Sequence, residues 1–382
     1  MTRAVAPAPD RRPEGREARA RCDLIEELEE VIAGHDIGHR ARMLRRVTDL
    51  FALSSDRLSE EQMALFDDVM GRLVSEIDVA ARAAFGSVLA RMPSAPRGVV
   101  RRLALDDSIG VAGPVLAHSD RVDDMTLIES ASTKSQRHLL AIACRKKLAA
   151  PVTDILVTRG DRDVVLSAAE NPGAAFSEFG YATLVQRAAT HEALAVSTWS
   201  RPEIPRQHLL RLFAEASEAV KQTLTKKDPS RAAVIAEAVA QASTRIQTQV
   251  REASTDYAAA EARVRALHDA GELDETTLAA FAQAGRFDET IVALSLLCDL
   301  PVGLVEHAFA QESPAQIIVL ARANDLAWDT AKTILKLQAG VHGSAQDRER
   351  AFEAFMRLKV ETAKKAVGFY RLRARAVAPR PA

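Results

Sequence analysis

A run of helix-length apolar stripes, each closed by a helix breaker, constrains this chain more than any other feature. The stripes read APRGVVRRLALDD, IGVAGPVLAHS, DDMTLIESAS, SQRHLLAIACRKK, APVTDILVTRG, DRDVVLSAAENPG and SEFGYATLVQRAA. Gly, Pro, Asp, Asn or Ser bounds each one, and these residues stop helices and make turns. GDRDVVLSAAENPGAAFSEFGYATLV lies over ATHEALAVSTWSRPEIPRQHLLRLF at an offset of about 30 residues, a helix-pair repeat period. Asn171-Pro172 then falls on Arg201-Pro202, at the turn between paired helices. Short amphipathic pairs cannot bury their apolar faces alone, so they must stack until neighbours complete the core.

Composition points the same way. Aromatic residues are only 4% of the chain, so Ala, Leu, Val and Ile must fill the core. Such a core suits closely packed helices better than an aromatic-rich sandwich. No segment sustains a period of two; DILVTRG and DVVLSAA are β-capable but sit inside the helical series. The expected fold is all-α. At 382 residues the chain can form two or three domains.

The N-terminal residues 1–20 are polar, basic and Pro-rich, and are expected to be a disordered tail without the apolar run of a signal peptide. Helical periodicity starts near Cys22, with Leu24, Ile25, Leu28, Val31 and Ile32 on one face and Gly34 as a stop. Ser59 and Gln62 have capping-box spacing, and so do Ser313 and Gln316. Asp228-Pro229 opens what reads as one unbroken helix to Gly271, about 60 Å long. Val239, Ile246, Val250, Ala253, Tyr257, Ala260, Val264 and Leu267 form a narrow seam along it, interrupted by Ser243. A second repeat set follows, with LDETTL, LPVGLV and LAWDTA about 26 residues apart. A last helix is expected from Ala345 to Tyr370, then a basic tail. The expected organisation is a repeat domain over 21–228, a connecting helix over 229–270, a smaller helical-pair domain over 271–370 and a disordered basic tail over 371–382.

Several stretches carry a family resemblance: VTDLF, LSEEQMALFDDVMGRLVSEID, LALDDSIGVAGPVLAHSD, HLLAIACRKKLAAPVTDILVTRGD and ENPGAAFSEFGYATLV. In this order they resemble the alphaproteobacterial domain-of-unknown-function family 2336, from about Arg42 to Phe213. LARANDLAWDTAKTIL is similar to that family's C-terminal region. The resemblance implies a HEAT-like helical repeat, an α-solenoid. It implies no catalytic motif.

The stretch most suggestive of chemistry is GHDIGHRARML, with His35, Asp36 and His39. It resembles the His-Asp core of the HD-type metal phosphohydrolases. Such a site needs an upstream histidine and further ligands converging on metal. No histidine precedes His35, and no GYP tripeptide follows. Gly34 and Gly38 favour a loop running into a helix, with Asp36 as its N-cap. The other histidines (His118, His138, His191, His208, His268, His307 and His342) show no HExxH spacing, and no GxSxG or Walker A sequence occurs. The three cysteines, Cys22, Cys144 and Cys298, are widely spaced, and no CxxC suggests zinc.

The acidic pairs Asp67-Asp68, Asp106-Asp107 and Asp123-Asp124 read as helix caps and solvated faces. Basic residues are scattered: Arg45-Arg46, Arg101-Arg102, Arg145-Lys146-Lys147, Lys226-Lys227 and the tail Arg371, Arg373, Arg375 and Arg380. With a net charge of −1, two Trp and three Tyr, nucleic acid is not the expected partner. No stretch approaches the roughly 20 apolar residues of a membrane span.

The sequence therefore predicts a cytoplasmic, non-catalytic interaction or scaffold protein that binds a protein partner through a helical-repeat groove. A homodimer through the 229–270 helix is a further expectation. The alternative is a nucleotide-responsive regulator or metal-dependent phosphohydrolase using His35, Asp36 and His39; a weaker one is nucleic-acid binding. No catalytic, cofactor-binding or metal residue is assigned, and no cofactor is expected.

Overall fold

Side-chain caps start many of the helices. Asp78, Asp123 and Asp161 each accept the main-chain N–H three residues ahead, and Ser59 with Gln62 forms a full capping box. The computed structural model describes residues 37–311, 313–338 and 345–377. The segment around His35 and Asp36 lies outside them, as do the expected N-terminal tail and the helix from Leu24. Among the described residues there are 21 α-helices and no strand, only an isolated parallel bridge between Leu148 and Ala174. The chain is an all-α helical repeat. It divides into two compact units between Ala175 and Phe176. The boundary expected near residue 228 falls inside the second unit.

The first unit contains α1 (Ile37–Ser54), α2 (Glu60–Ser75), α3 (Val79–Leu89), α4 (Arg97–Ala104), α5 (Ile109–His118), α6 (Asp124–Thr133), α7 (Gln136–Ala143), α8 (Ala150–Arg159) and α9 (Arg162–Glu170). The helices alternate between two layers. α2, α4, α6 and α8 pack in succession, and so do α3, α5, α7 and α9. Leu89, Leu103, Leu116, Leu127, Leu139, Ile142 and Leu156 are fully buried between the layers. The first six apolar stripes of the sequence, APRGVVRRLALDD to DRDVVLSAAENPG, are α4 to α9, each one helix of one layer, and stacking buries what a lone pair would expose.

The second unit contains α10 (Glu178–Ala188), α11 (Glu192–Trp199), α12 (Arg206–Lys227), α13 (Ala232–Glu252), α14 (Thr255–Asp269), α15 (Glu275–Gln283), α16 (Phe287–Cys298), α17 (Val302–Ala310), α18 (Ala315–Ala323), α19 (Trp328–Leu335), α20 (Ala345–Arg357) and α21 (Val360–Val377). Its core gathers Val264, Leu278, Ile291, Leu294, Val305, Phe309, Ile317 and Ile334. The second repeat has a local cause. Helices end in a left-handed residue, Gly271, Gly285, Asp299 or Asp325, and the next N–H bonds back five residues. This is the Schellman arrangement, and it reverses the chain at each repeat.

Five sequence expectations are corrected. The helix expected to be unbroken over 229–270 is a 3-10 turn (Pro229–Arg231), α13 and α14. Ser254 breaks it by accepting the Tyr257 N–H. α13 packs on α12 while α14 packs on α16, and one straight rod cannot do both. The C-terminal half of the expected seam is internal, since Tyr257, Ala260 and Val264 are buried. The expected last helix is two, parted at Leu358, whose carbonyl accepts from Arg322 Nε at 3.0 Å. The tail expected from residue 371 is helical to Val377, and Arg371 Nε donates to the Cys298 carbonyl at 2.7 Å. Finally, the Ser313–Gln316 capping box does not form, because α18 begins at Ala315 and Ser313 Oγ accepts the Ala315 N–H instead.

Candidate functional site

In the first unit, arginines that look like a distributed basic surface are built into the stack. Arg102 donates to the Gly71 carbonyl and to Ser75 Oγ, at the end of α2. Arg145 donates to the Leu116 and Ser119 carbonyls, at the end of α5. Arg159 donates to the Ala131 and Lys134 carbonyls, at the end of α6. The last turn of a helix leaves carbonyls without intrahelical partners, and a guanidinium fork satisfies two at once. Each of these contacts ties one repeat to the one before it. Burial of Arg145 lowers its pKa, against the opposing pull of Asp120 and Asp124.

The acidic pairs do related work. The Asp67 carboxylate accepts the N–H groups of Gly98 and Val99, the free amides at the start of α4. Asp68 pairs with Arg72 one turn away. Asp106 accepts from Arg82 Nε and from the Ser108 N–H. Lys134 Nζ bonds to Asp107, 2.5 Å away, and holds its carboxyl below the usual range. The Thr126 side chain, and then its N–H, hold the Asp123 carboxyl below the usual range. His138 is buried at the start of α7 and joins Ser135 Oγ to the Asp106 carbonyl. It crosses between repeats as a structural bond.

The remaining described histidines stand apart on α1 (His39), α5 (His118), the α11 N-cap (His191), α12 (His208), α14 (His268) and α17 (His307). His208 Nε2 lies 2.7 Å from Glu178. His342 and Cys22 lie outside the described residues. Cys144 is exposed, and Cys298 is buried, with its thiol pushed up to about 11 by burial. Among the described residues no three His, Cys, Asp or Glu side chains converge as a metal would require.

The second unit holds a charged cluster that no sequence spacing announces. Glu306 on α17 is fully buried. Its carboxylate accepts from Arg206 of α12 and, at 2.7 Å, from Arg251 of α13. Arg206 also pairs with Asp288 of α16, whose carboxyl burial pushes up despite that arginine. Tyr257 lies beneath both guanidinium groups, 4.7 Å from Arg206 and 5.9 Å from Arg251. Burial pushes its phenol up to about 12, so it stays protonated. Beside this cluster, Arg251, Glu252, Tyr257, Ala258, Glu261 and Val302 line an open cleft of about 440 Å³. Two cations face two anions, so the cluster is balanced. It fastens both legs of the α12–α13 hairpin to one buried carboxylate. Bonded partners 55 to 100 residues apart in sequence leave no local signal; only an acidic residue on an apolar stripe, such as Glu306 in VGLVEHAFA, hints at it.

Stacked helix pairs fixed by arginine-to-carbonyl bonds define a helical-repeat protein. The chain belongs to the family described as "Uncharacterised protein conserved in bacteria (DUF2336)", whose sequence profile matches residues 111–368. The match begins well after Arg42, where the sequence resemblance was expected to start. Searches of curated proteins and of solved structures found no match. No helix among the described residues is long and apolar enough to cross a membrane.

Proposed function

We propose that this protein is a non-catalytic scaffold that binds a protein partner across the helical stack of its first unit. The observation that supports this reading is the disposition of its polar groups. Arg102, Arg145, Arg159, Asp67 and His138 all bond across successive repeats to helix ends. Those bonds make the stack rigid, and a rigid stack presents its helix surfaces at little ordering cost on binding. Exposed apolar side chains stand on both layers: Leu65 and Met125 on one, Val88 and Leu140 on the other. A partner helix or extended segment would dock on such positions.

The test is affinity capture from the source cell with the full chain as bait, run beside the variants Leu65→Glu, Val88→Glu, Met125→Glu and Leu140→Glu. The reading expects one defined protein, recovered by the wild type and lost with at least one variant. Recovery of the same proteins by all baits, or of nothing beyond the control, would overturn it.

A further inference from the structure

The α12–α13 hairpin is the least buried part of the second unit. From Ala216 to Val250 no side chain is fully buried, and α13 buries none along its whole length. A helix normally hides one stripe against another element, so a long helix with no buried residue lacks a layer. Half-buried positions run along α13, which packs on α12, at Ala232, Ala236, Val239, Ser243 and Val250, with Ile235, Gln247, Thr248 and Arg251 half-buried beside them. A second stripe, Val234, Ala238, Ala242 and Ile246, recurs every four residues and is exposed. On α12 the half-buried face is Ser217, Lys221 and Thr225, and the exposed stripe is Ala216, Val220 and Leu224.

On both helices the exposed stripe precedes the inner face by about 100° in the helical sense. An antiparallel pair is related by a two-fold axis normal to its plane. That axis keeps flanks of the same sense on the same side, so both stripes form one apolar face of the hairpin. Val220, Leu224, Val234 and Ile246 are 50%, 42%, 66% and 40% exposed on it.

We infer that this face is the interface of a homodimer, in which two hairpins close into an antiparallel four-helix bundle. Charge selects the partner and its direction. The hairpin tip carries exposed Lys226 and Lys227, with Arg231 paired to Asp228 beside them, while its base carries exposed Glu252 and Asp256. A second copy laid antiparallel sets the cationic tip of each hairpin at the acidic base of the other. A parallel copy would set cation against cation. About 28 Å of α13 beside α12 offers a face of roughly 500 Å² per copy. The total of about 1,000 Å² is at the lower limit for a specific interface, so the dimer is expected to be micromolar. This inference is independent of the partner proposed for the first unit.

The experiment is sedimentation equilibrium of the full chain over roughly 1–300 µM, bracketing a micromolar Kd. The expected mass rises from 41.4 kDa toward twice that value. Val220→Glu and Ile246→Glu should each weaken association by about tenfold or more, with circular dichroism unchanged, and Tm unchanged at concentrations below the Kd, because both sites are exposed in the single chain. Lys226→Glu with Lys227→Glu should weaken it as well, and adding Glu252→Lys with Asp256→Lys should restore it. A wild type that stays at one chain's mass throughout overturns the proposal. So does a dimer that both apolar variants leave intact. A dimer strengthened by the lysine reversal overturns the antiparallel arrangement.

Discussion

The buried carboxylate of Glu306 takes the Arg251 guanidinium at 2.7 Å while also accepting from Arg206. Removing an acid from such a site leaves its cations in a low-dielectric surrounding. Glu306→Ala should therefore cost about 3–5 kcal/mol of stability, and Glu306→Gln less, because the amide still accepts. Urea denaturation of the full chain measures both. Equal midpoints for Glu306→Ala and wild type would show that the arginines find water instead.

Arg145 spans two carbonyls of the preceding repeat. Its replacement by Ala should cost roughly 1–3 kcal/mol, since two part-buried acceptors lose their donor. Lysine should restore little, because one ammonium group cannot fork between both oxygens. Thermal melts of Arg145→Ala and Arg145→Lys decide this; full recovery by lysine would mean that charge alone matters.

His307 is pushed below its usual pKa by burial. The unfolded chain then binds this proton at a higher pH than the folded one. Stability is fully present above about pH 6.5 and is lost as pH falls toward the depressed folded value. His307→Gln should flatten that limb of the stability profile. An unchanged slope between about pH 7 and 5 would remove His307 as its source.

Asp325 holds a left-handed backbone at φ 54°. Glycine adopts that region without penalty, so Asp325→Gly should raise stability by up to about 1 kcal/mol. Loss of stability would show that the distant pairing with Arg322, at 4.0 Å, outweighs backbone strain.

Gly173 lies where a side chain has no room, since a Cβ there would overlap the Lys146 carbonyl oxygen. The same turn carries the Leu148–Ala174 bridge, with Leu148 N–H on the Gly173 carbonyl at 3.0 Å. Gly173→Ala should destabilise the first unit by about 1–3 kcal/mol through forced backbone movement. Hydrogen exchange at Leu148 and Ala175 would register the change locally.

Much of this was legible beforehand, and particular residues show why. Asn171-Pro172 and Arg201-Pro202 each fall in a turn between two helices, as their overlay predicts. Ser59 caps α2 because its signal lies within three residues of itself. Asp228-Pro229 placed a helix start correctly, with a 3-10 first turn. The break at Ser254 was harder. Serine is tolerated inside helices, and only the separate packing of α13 and α14 makes it a cap.

The order of residues along the chain makes it a series of short helices, sets where most of them begin, and requires that they stack. Those are properties of spacing, propensity and local capping, which act within a few residues. Tertiary structure alone decided that Arg102, Arg145 and Arg159 face carbonyls of earlier repeats, that His138 bridges to Asp106, and that Arg206, Arg251, Asp288 and Glu306 meet. The physical reason is that a charge's partner is set by which helix faces it after packing, and no spacing along the chain encodes that neighbour.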